Sequence, residues 1–213
     1  MESDTVISLR NVEKRFGPRP VIRGVDLQIA RGRTYALVGA NGSGKSVLLK
    51  LMCGLIAPTS GEVVIDPTLL DRRRTYPDRF GAMIDGPPFL PDRTATQNLL
   101  DLAKIRNRIG PDGVRQVLER VGLDPDSKTK AKSFSLGMKQ KLGIAQALME
   151  DPEVLLLDEP FNALDQPSVE RLTEIIRERQ AAGTTIVFTS HYRIHVDELA
   201  DEVLEIVDGV IQP

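Results

Sequence analysis

The 213-residue sequence holds a single cysteine, no tryptophan and only 4% aromatic residues. With Cys53 alone, no intrachain disulfide can form, which fits a reducing compartment. No apolar run approaches the ~20 residues needed to cross a bilayer as a helix. Work at a membrane would therefore need another chain to supply the spanning part. Met1-Glu2-Ser3-Asp4 is acidic and polar, and no apolar run of signal-peptide length follows it. Neither sign of charge dominates, with 28 Lys and Arg against 30 Asp and Glu and a net charge of -2. Without a basic excess, a nucleic-acid partner is not expected. Internal repeats and heptad tracts are also missing. What remains, 41% hydrophobic and 27% charged, is the balance of a globular chain that buries a sizeable core as one domain or two small ones.

The strand signals fall into two groups. Val6 to Arg10, Val21 to Ile29 and Glu62 to Asp66 are short Val- and Ile-rich runs separated by Gly and Pro clusters, the pattern of an antiparallel β-layer. Thr34 to Val38, Val154 to Leu157 and Thr184 to Thr189 are nearly all apolar and read as buried parallel strands. Buried strands separated by helical stretches imply a doubly wound α/β core. After Lys45, residues Leu48, Leu51, Met52 and Leu55 fall on one helical face. Val169 to Gln180 is a second amphipathic helix, with Leu172, Ile175 and Ile176 inward and Gly183 just past its end. Between about Gly86 and Met149 the pattern is helical only, with Leu99, Leu102 and Ile105 on one expected helix and Val114, Val117, Leu118 and Val121 on another. Residues 86-149 are therefore expected to form a helical subdomain inserted into an α/β core built from 1-85 and 150-213. Arg72-Arg73-Arg74 reads as a solvated loop.

Two motifs carry chemistry. Gly39-Ala40-Asn41-Gly42-Ser43-Gly44-Lys45-Ser46 matches the phosphate-binding pattern G-x-x-x-x-G-K-[ST], and it has the strand before and the helix after that the pattern requires. Glycines let the backbone wrap around phosphate oxygens, and the following helix turns its positive end to the same anion. Lys45 would neutralise the β- and γ-phosphates, and the Ser46 hydroxyl would ligate Mg²⁺. The second motif is the apolar run Val154 to Leu157 that ends in Asp158-Glu159. Carboxylates at the mouth of a buried strand are costly unless paired or set to work. Asp158 can reach the Mg²⁺ shell through water, and Glu159 can polarise an attacking water. Together the two motifs indicate a P-loop nucleotide triphosphatase.

Three further segments narrow this. Phe134-Ser135-Leu136-Gly137-Met138, with the helix after it, resembles the signature of the ABC ATPase family, although Leu136 and Met138 depart from the usual L-S-G-G-Q. Asn162-Ala163-Leu164-Asp165 resembles that family's D-loop, and Asp165 would also suit a helix N-cap. His191, at the end of the strand Thr185 to Ser190, resembles the family's switch histidine. His195 matches nothing and reads as a helix-surface residue. The resemblance runs from about residue 5 to the end of the chain. Where the family usually has glutamine after the strand Gly81 to Ile84, this sequence has Asp85. That residue and the Ser-Leu-Gly-Met signature look most like the exporters of bacitracin and lantibiotic type.

The resemblance implies an ATP- and Mg²⁺-dependent ATPase subunit with the ABC fold: a P-loop core, an N-terminal antiparallel β-layer and an inserted α-helical subdomain. It implies ATP contacts from Gly39, Asn41, Gly42, Ser43, Gly44, Lys45, Ser46 and Val47, with Phe16 stacking on the adenine. Ser135, Gly137 and Asp165 would serve a nucleotide held by a second subunit, as a homodimer. Glu159, His191 and Asp85 would take part in hydrolysis, and Ser46, Asp158 and Asp85 in holding Mg²⁺. The partner would be an integral membrane permease in a separate chain, which would place this subunit on the cytoplasmic face of the membrane, and the cargo a peptide antibiotic, drug or related compound. The segment Gly86-Pro87-Pro88-Phe89-Leu90-Pro91 is expected to help receive a helix of that permease. Two other classes fit less well: a soluble ABC-family ATPase acting on ribosomes or DNA, and a low-turnover regulatory nucleotide-binding subunit.

Overall fold

The computed structural model describes residues 5-70, 77-86 and 89-212; the arginine run at 72-74 and the prolines at 87 and 88 lie outside them. In chain order the elements begin with β1 (Thr5–Phe16), β2 (Arg19–Ala30), β3 (Thr34–Val38), α1 (Lys45–Met52), β4 (Ser60–Ile65) and β5 (Phe80–Met83). Then come α2 (Ala95–Arg106), α3 (Pro111–Arg120), α4 (Leu136–Leu148), β6 (Val154–Leu157), α5 (Gln166–Ala181), β7 (Thr185–Thr189), α6 (Arg193–Leu199), β8 (Glu202–Val207) and β9 (Val210–Ile211).

β1, β2 and β4 form the antiparallel layer, in the order β2-β1-β4. The first two strands run further than their apolar patterns, through register shifts such as the one between Leu9 and Val12. Asn11, at φ 45, sits in that irregularity and breaks the alternation that marks a strand in sequence. The other sheet has the order β5-β6-β7-β3-β8-β9, parallel except for the closing β8-β9 hairpin. That hairpin turns on Asp208-Gly209, both with positive φ, the two-residue turn that matches strand twist. One apolar core lies between the two sheets and around α1, with Leu9, Ile29, Leu37, Leu49 and Leu156 fully enclosed. A second gathers on the opposite side, where α2 to α5 meet β6 and β7 around Leu99, Leu142, Leu157, Ile176 and Phe188. Helix α4 lies hard against β5: a Cβ on Gly81 would stand 1.9 Å from the Ala147 carbonyl oxygen, so only glycine fits.

Two helical faces differ from the sequence pattern. Helix α1 buries Leu48, Leu49, Leu51 and Met52 but stops there, and Leu55 is 50% exposed. Gly54, at φ 72, ends the helix in the left-handed region before Leu55 can join the face. On α2, Leu99 is buried but Ile105 is exposed, and Ala95, Asn98 and Ala103 fill the inward face instead. Six residues at ~100° each carry position 105 about 120° away from Leu99, so steps of three alone drift off the core. Val114, Val117, Leu118 and Val121 on and after α3 are all buried, as their spacing predicts.

The sheet order positions the site. β6, β7 and β3 are neighbours and parallel, so their C-terminal ends reach the same edge. The glycine loop after Val38, the carboxylates after Leu157 and the Ser190-His191 pair after Thr189 therefore converge, at the edge where α/β sheets bind ligands.

Candidate functional site

The loop from Gly39 to Gly44 is shaped by contacts that exclude side chains. A Cβ on Gly39 would lie 2.3 Å from the Ile206 carbonyl oxygen, and one on Gly44 would lie 2.8 Å from Ile22 Cδ1. Gly39, Gly42 and Gly44 also have φ of 150, 78 and 113, a region closed to most residues. Ser43 is buried under the loop rather than on its open face. Lys45 begins α1 and is itself buried. Its Nζ donates to the carbonyls of Gly39 at 2.8 Å and Ala40 at 3.2 Å, which holds a cation in the hollow of the loop.

Across from the loop lies a cleft of about 510 Å³. Asn41, Gly42, Gly44, Lys45, Ser46 and Val47 form one wall. Asp158, Glu159, Asn162 and His191 form the other, and Phe16, Arg19 and Val21 stand at the mouth. Asp158 Oδ1 accepts from Thr189 Oγ1 at 2.8 Å, and the Glu159 amide donates to that same hydroxyl at 2.7 Å, so one threonine of β7 fixes both acidic residues. Glu159 Oε1 meets His191 Nε2 at 2.7 Å. Burial pushes the Glu159 carboxyl above its ordinary range, against the opposing pull of His191 and Lys45 and with a further push from Asp158. A carboxylate raised in this way, facing a cation across a cleft, is suited to accept a proton. If Glu159 serves a hydrolytic site as its base, the rate should fall on acidification at a pH above the ordinary glutamate range, because the protonated acid cannot take up a proton. A pH profile of single-turnover hydrolysis checks this, and a flat profile down to the onset of acid unfolding, followed by circular dichroism, contradicts it.

Phe16 ends β1 and is 52% exposed at the cleft mouth, so it does not serve the core. Lys14 Nζ lies 5.3 Å from its ring centre. A free aromatic face at that place suits a purine base. If the adenine of ATP stacks there, as the family resemblance implies, Phe16→Ala should raise the KM for ATP roughly tenfold with little change in kcat, the scale of one lost stacking contact. Steady-state kinetics decide, and an unchanged KM contradicts the stacking role.

Gly39 and Ser43 belong to the loop without lining the cleft, and four other sequence candidates stand apart from it. Asp85, at φ 57 beyond β5, is ion-paired with Lys50 of α1 and is not on the cleft wall. Ser135 caps α4, its Oγ accepting from the Met138 amide at 3.2 Å, and is exposed. Gly137 follows in the first turn. Asp165 caps α5, accepting from the Ser168 amide at 3.3 Å and from its hydroxyl. Two further residues belong to the site without a motif that marks them. Thr189 is masked by the apolar strand that it ends. Arg19 reaches the cleft because it pairs across the hairpin with Phe16. His195 is a correction: it is buried, not on the helix surface, and its ring stacks on Phe161 at 3.9 Å and 23°. Loss of solvent holds its pKa below the usual imidazole value.

A glycine loop between a parallel strand and a helix, with an acidic pair and a histidine opposite, defines a P-loop nucleotide triphosphatase site. The family model described as ABC transporter matches residues 22-162. The lantibiotic transport ATP-binding protein SrtF of Streptococcus pyogenes is 35% identical over 97% of this chain and 89% of its own length. The bacitracin transport ATP-binding protein BcrA of Enterococcus faecalis is 36% identical over 95% of this chain and 67% of its own. Among solved structures, the dimeric bacterial ABC transporter cassette MJ0796 superposes with a TM-score of 0.85 at 26% identity, covering 97% of both chains. A post-hydrolysis state of that cassette, bound to ADP and Pi, gives the same score. The chain belongs to the ABC transporter family, as an ATP-binding and ATP-hydrolysing subunit.

Proposed function

We propose that this subunit drives export of a peptide antibiotic or a related compound, working in pairs against a separate membrane permease. The observation that carries the ATPase part is the Glu159-His191 pair set across the cleft from Lys45. ATP lies with its triphosphate along Gly39 to Ser46 and its base against Phe16. Lys45 takes the β- and γ-phosphates. Glu159 orients water against the γ-phosphorus and takes up its proton, while His191 holds the Glu159 carboxylate and touches the γ-phosphate. The Ser46 hydroxyl and the Asp158 carboxylate are hard oxygen donors lining the same cleft, and they fit Mg²⁺, which they would hold together with the nucleotide. Bound there, Mg²⁺ would neutralise charge on the phosphates. Asp85, tied to Lys50, is left outside this set.

The pairing of subunits is supported by the places of Ser135 and Gly137. They open a helix N-terminus, where an anion is favoured, yet they lie off the chain's own cleft. A second copy in head-to-tail arrangement brings that end to its partner's γ-phosphate. Asp165 then sits at the boundary. The names of the lantibiotic and bacitracin relatives support the cargo class. Among the described residues no helix is long and apolar enough to cross a membrane, so the permease provides the passage and holds this subunit at the cytoplasmic face of the membrane. The helical stretch 86-149 acts as the subdomain that meets it. A hollow of about 200 Å³ between β5, α2 and α4, lined by Phe80, Leu102, Ile105 and Pro152 and also by the charged Asp78, Arg79, Arg106 and Glu150, offers a seat of mixed apolar and charged character for a permease helix. A photo-crosslinker at Ile105 or Phe89 should capture the permease in membranes. Efficient capture from the far face of the subunit, with none at these positions, would contradict the docking surface.

A further inference from the structure

Two residues on one face of α4 touch the turn that carries Glu159. Gly137 and Gln140 are three positions apart, so they lie on the same side of the helix. Gly137 comes so close that a Cβ there would stand 2.7 Å from the Ala163 carbonyl oxygen. Nearly one turn further, Gln140 Nε2 donates to the Glu159 carbonyl oxygen at 2.8 Å. Both carbonyls belong to non-glycine residues with left-handed backbone, φ 50 at Glu159 and 61 at Ala163. Such residues persist only where the surroundings enforce them.

The enforcing contacts at Glu159 are specific. Its amide donates to Thr189 Oγ1 at 2.7 Å. Its carbonyl accepts from the Asn162 amide at 3.2 Å as well as from Gln140. Strand β7 thus holds one side of the residue and helix α4 the other. Rotation of the Glu159 backbone breaks at least one of these bonds and swings the carboxylate away from His191, which it meets at 2.7 Å.

We infer that Gln140 is a positioning residue for hydrolysis: its amide fixes the Glu159 backbone and ties the aim of the carboxylate to the placement of α4. The inference rests on the reading of Glu159 as the group that prepares water. It also has a consequence for a pair of subunits. Ser135 and Gly137 lie at the outer end of the same helix, so contact there reaches Glu159 through a rigid rod and a single hydrogen bond. Each copy's carboxylate would then be aligned by what its own α4 meets across the boundary.

The test uses the full chain and three variants. Gln140→Met keeps the length and loses the donor. Gln140→Glu keeps the shape and turns a carboxylate on the carbonyl. Gln140→Lys keeps an N–H donor. The expected result is a kcat about tenfold lower in the Met variant, lower still in the Glu variant and largely restored in the Lys variant, with the Kd for ATP within about twofold throughout. A role in packing alone would order the variants by thermal midpoint rather than by donor, and either that ordering or wild-type kcat in both the Met and Glu variants overturns the inference. Glu159→Gln in the same assay separates the two levels. Full turnover there removes the reading of Glu159 itself. Turnover lost there but kept in Gln140→Met removes only the positioning role.

Discussion

Glu159→Gln should still bind ATP but hydrolyse it about 10²–10⁴-fold more slowly, the usual contribution of a positioned general base. Glutamine has nearly the same shape, so the turn is kept. The backbone bonds to Thr189 and Gln140 do not involve the side chain. What is lost is the proton acceptor that burial has raised and that His191 Nε2 holds at 2.7 Å. The amide can still accept from His191, so the local geometry gives no reason for ATP affinity to fall. If subunits pair through bound ATP, the variant should also accumulate as an ATP-dependent dimer, visible by size-exclusion chromatography with light scattering. Single-turnover phosphate release at the wild-type rate would remove Glu159 from the mechanism.

Lys45→Ala acts on the other wall, and its effect falls on binding. The ammonium is buried and held over the loop by two carbonyls, so its position is fixed before ligand arrives. Charge-assisted hydrogen bonds of this kind contribute about 1.5–3 kcal/mol each. Loss of contacts to two phosphate groups should therefore weaken ATP roughly a hundredfold or more. The Gly39 and Ala40 carbonyls lose their donor as well, so Lys45→Met, which keeps the buried methylenes, controls for loop collapse. Isothermal titration with ATP and magnesium measures the effect. Unchanged affinity in both variants would show that triphosphate is held elsewhere.

Much of this fold could be read from residue patterns, for reasons that particular elements make plain. β3, β6 and β7 are buried on both faces, so their sequences are unbroken apolar runs that end in polar residues. The glycine loop was legible because its chemistry allows few substitutions. The β8-β9 hairpin carries only the turn signal Val-Asp-Gly-Val, because β8 alternates exposed Glu and Val with buried Leu and Ile and has no long apolar run. The buried face of α2 departs from its apolar spacing because residues at steps of three do not stay on one side of a helix. The site was legible where one residue meets ligand and illegible where residues meet each other. Gln140 and Glu159 are 19 positions apart, and Thr189 and Asp158 are 31 apart, so only the register of β6 with β7 and the path of α4 bring them together. His195 is the same case: a polar residue on a short helix reads as surface until Phe161 is found beneath it.

A structure of the Glu159→Gln protein grown with ATP and magnesium bears most directly on the cleft as the place where ATP is broken. The triphosphate should run along Gly39 to Ser46, with the γ-phosphate between Lys45 and residue 159 and the base against Phe16. Nucleotide bound away from the glycine loop, or a γ-phosphate beyond hydrogen-bonding reach of a water held by residue 159, would contradict the account.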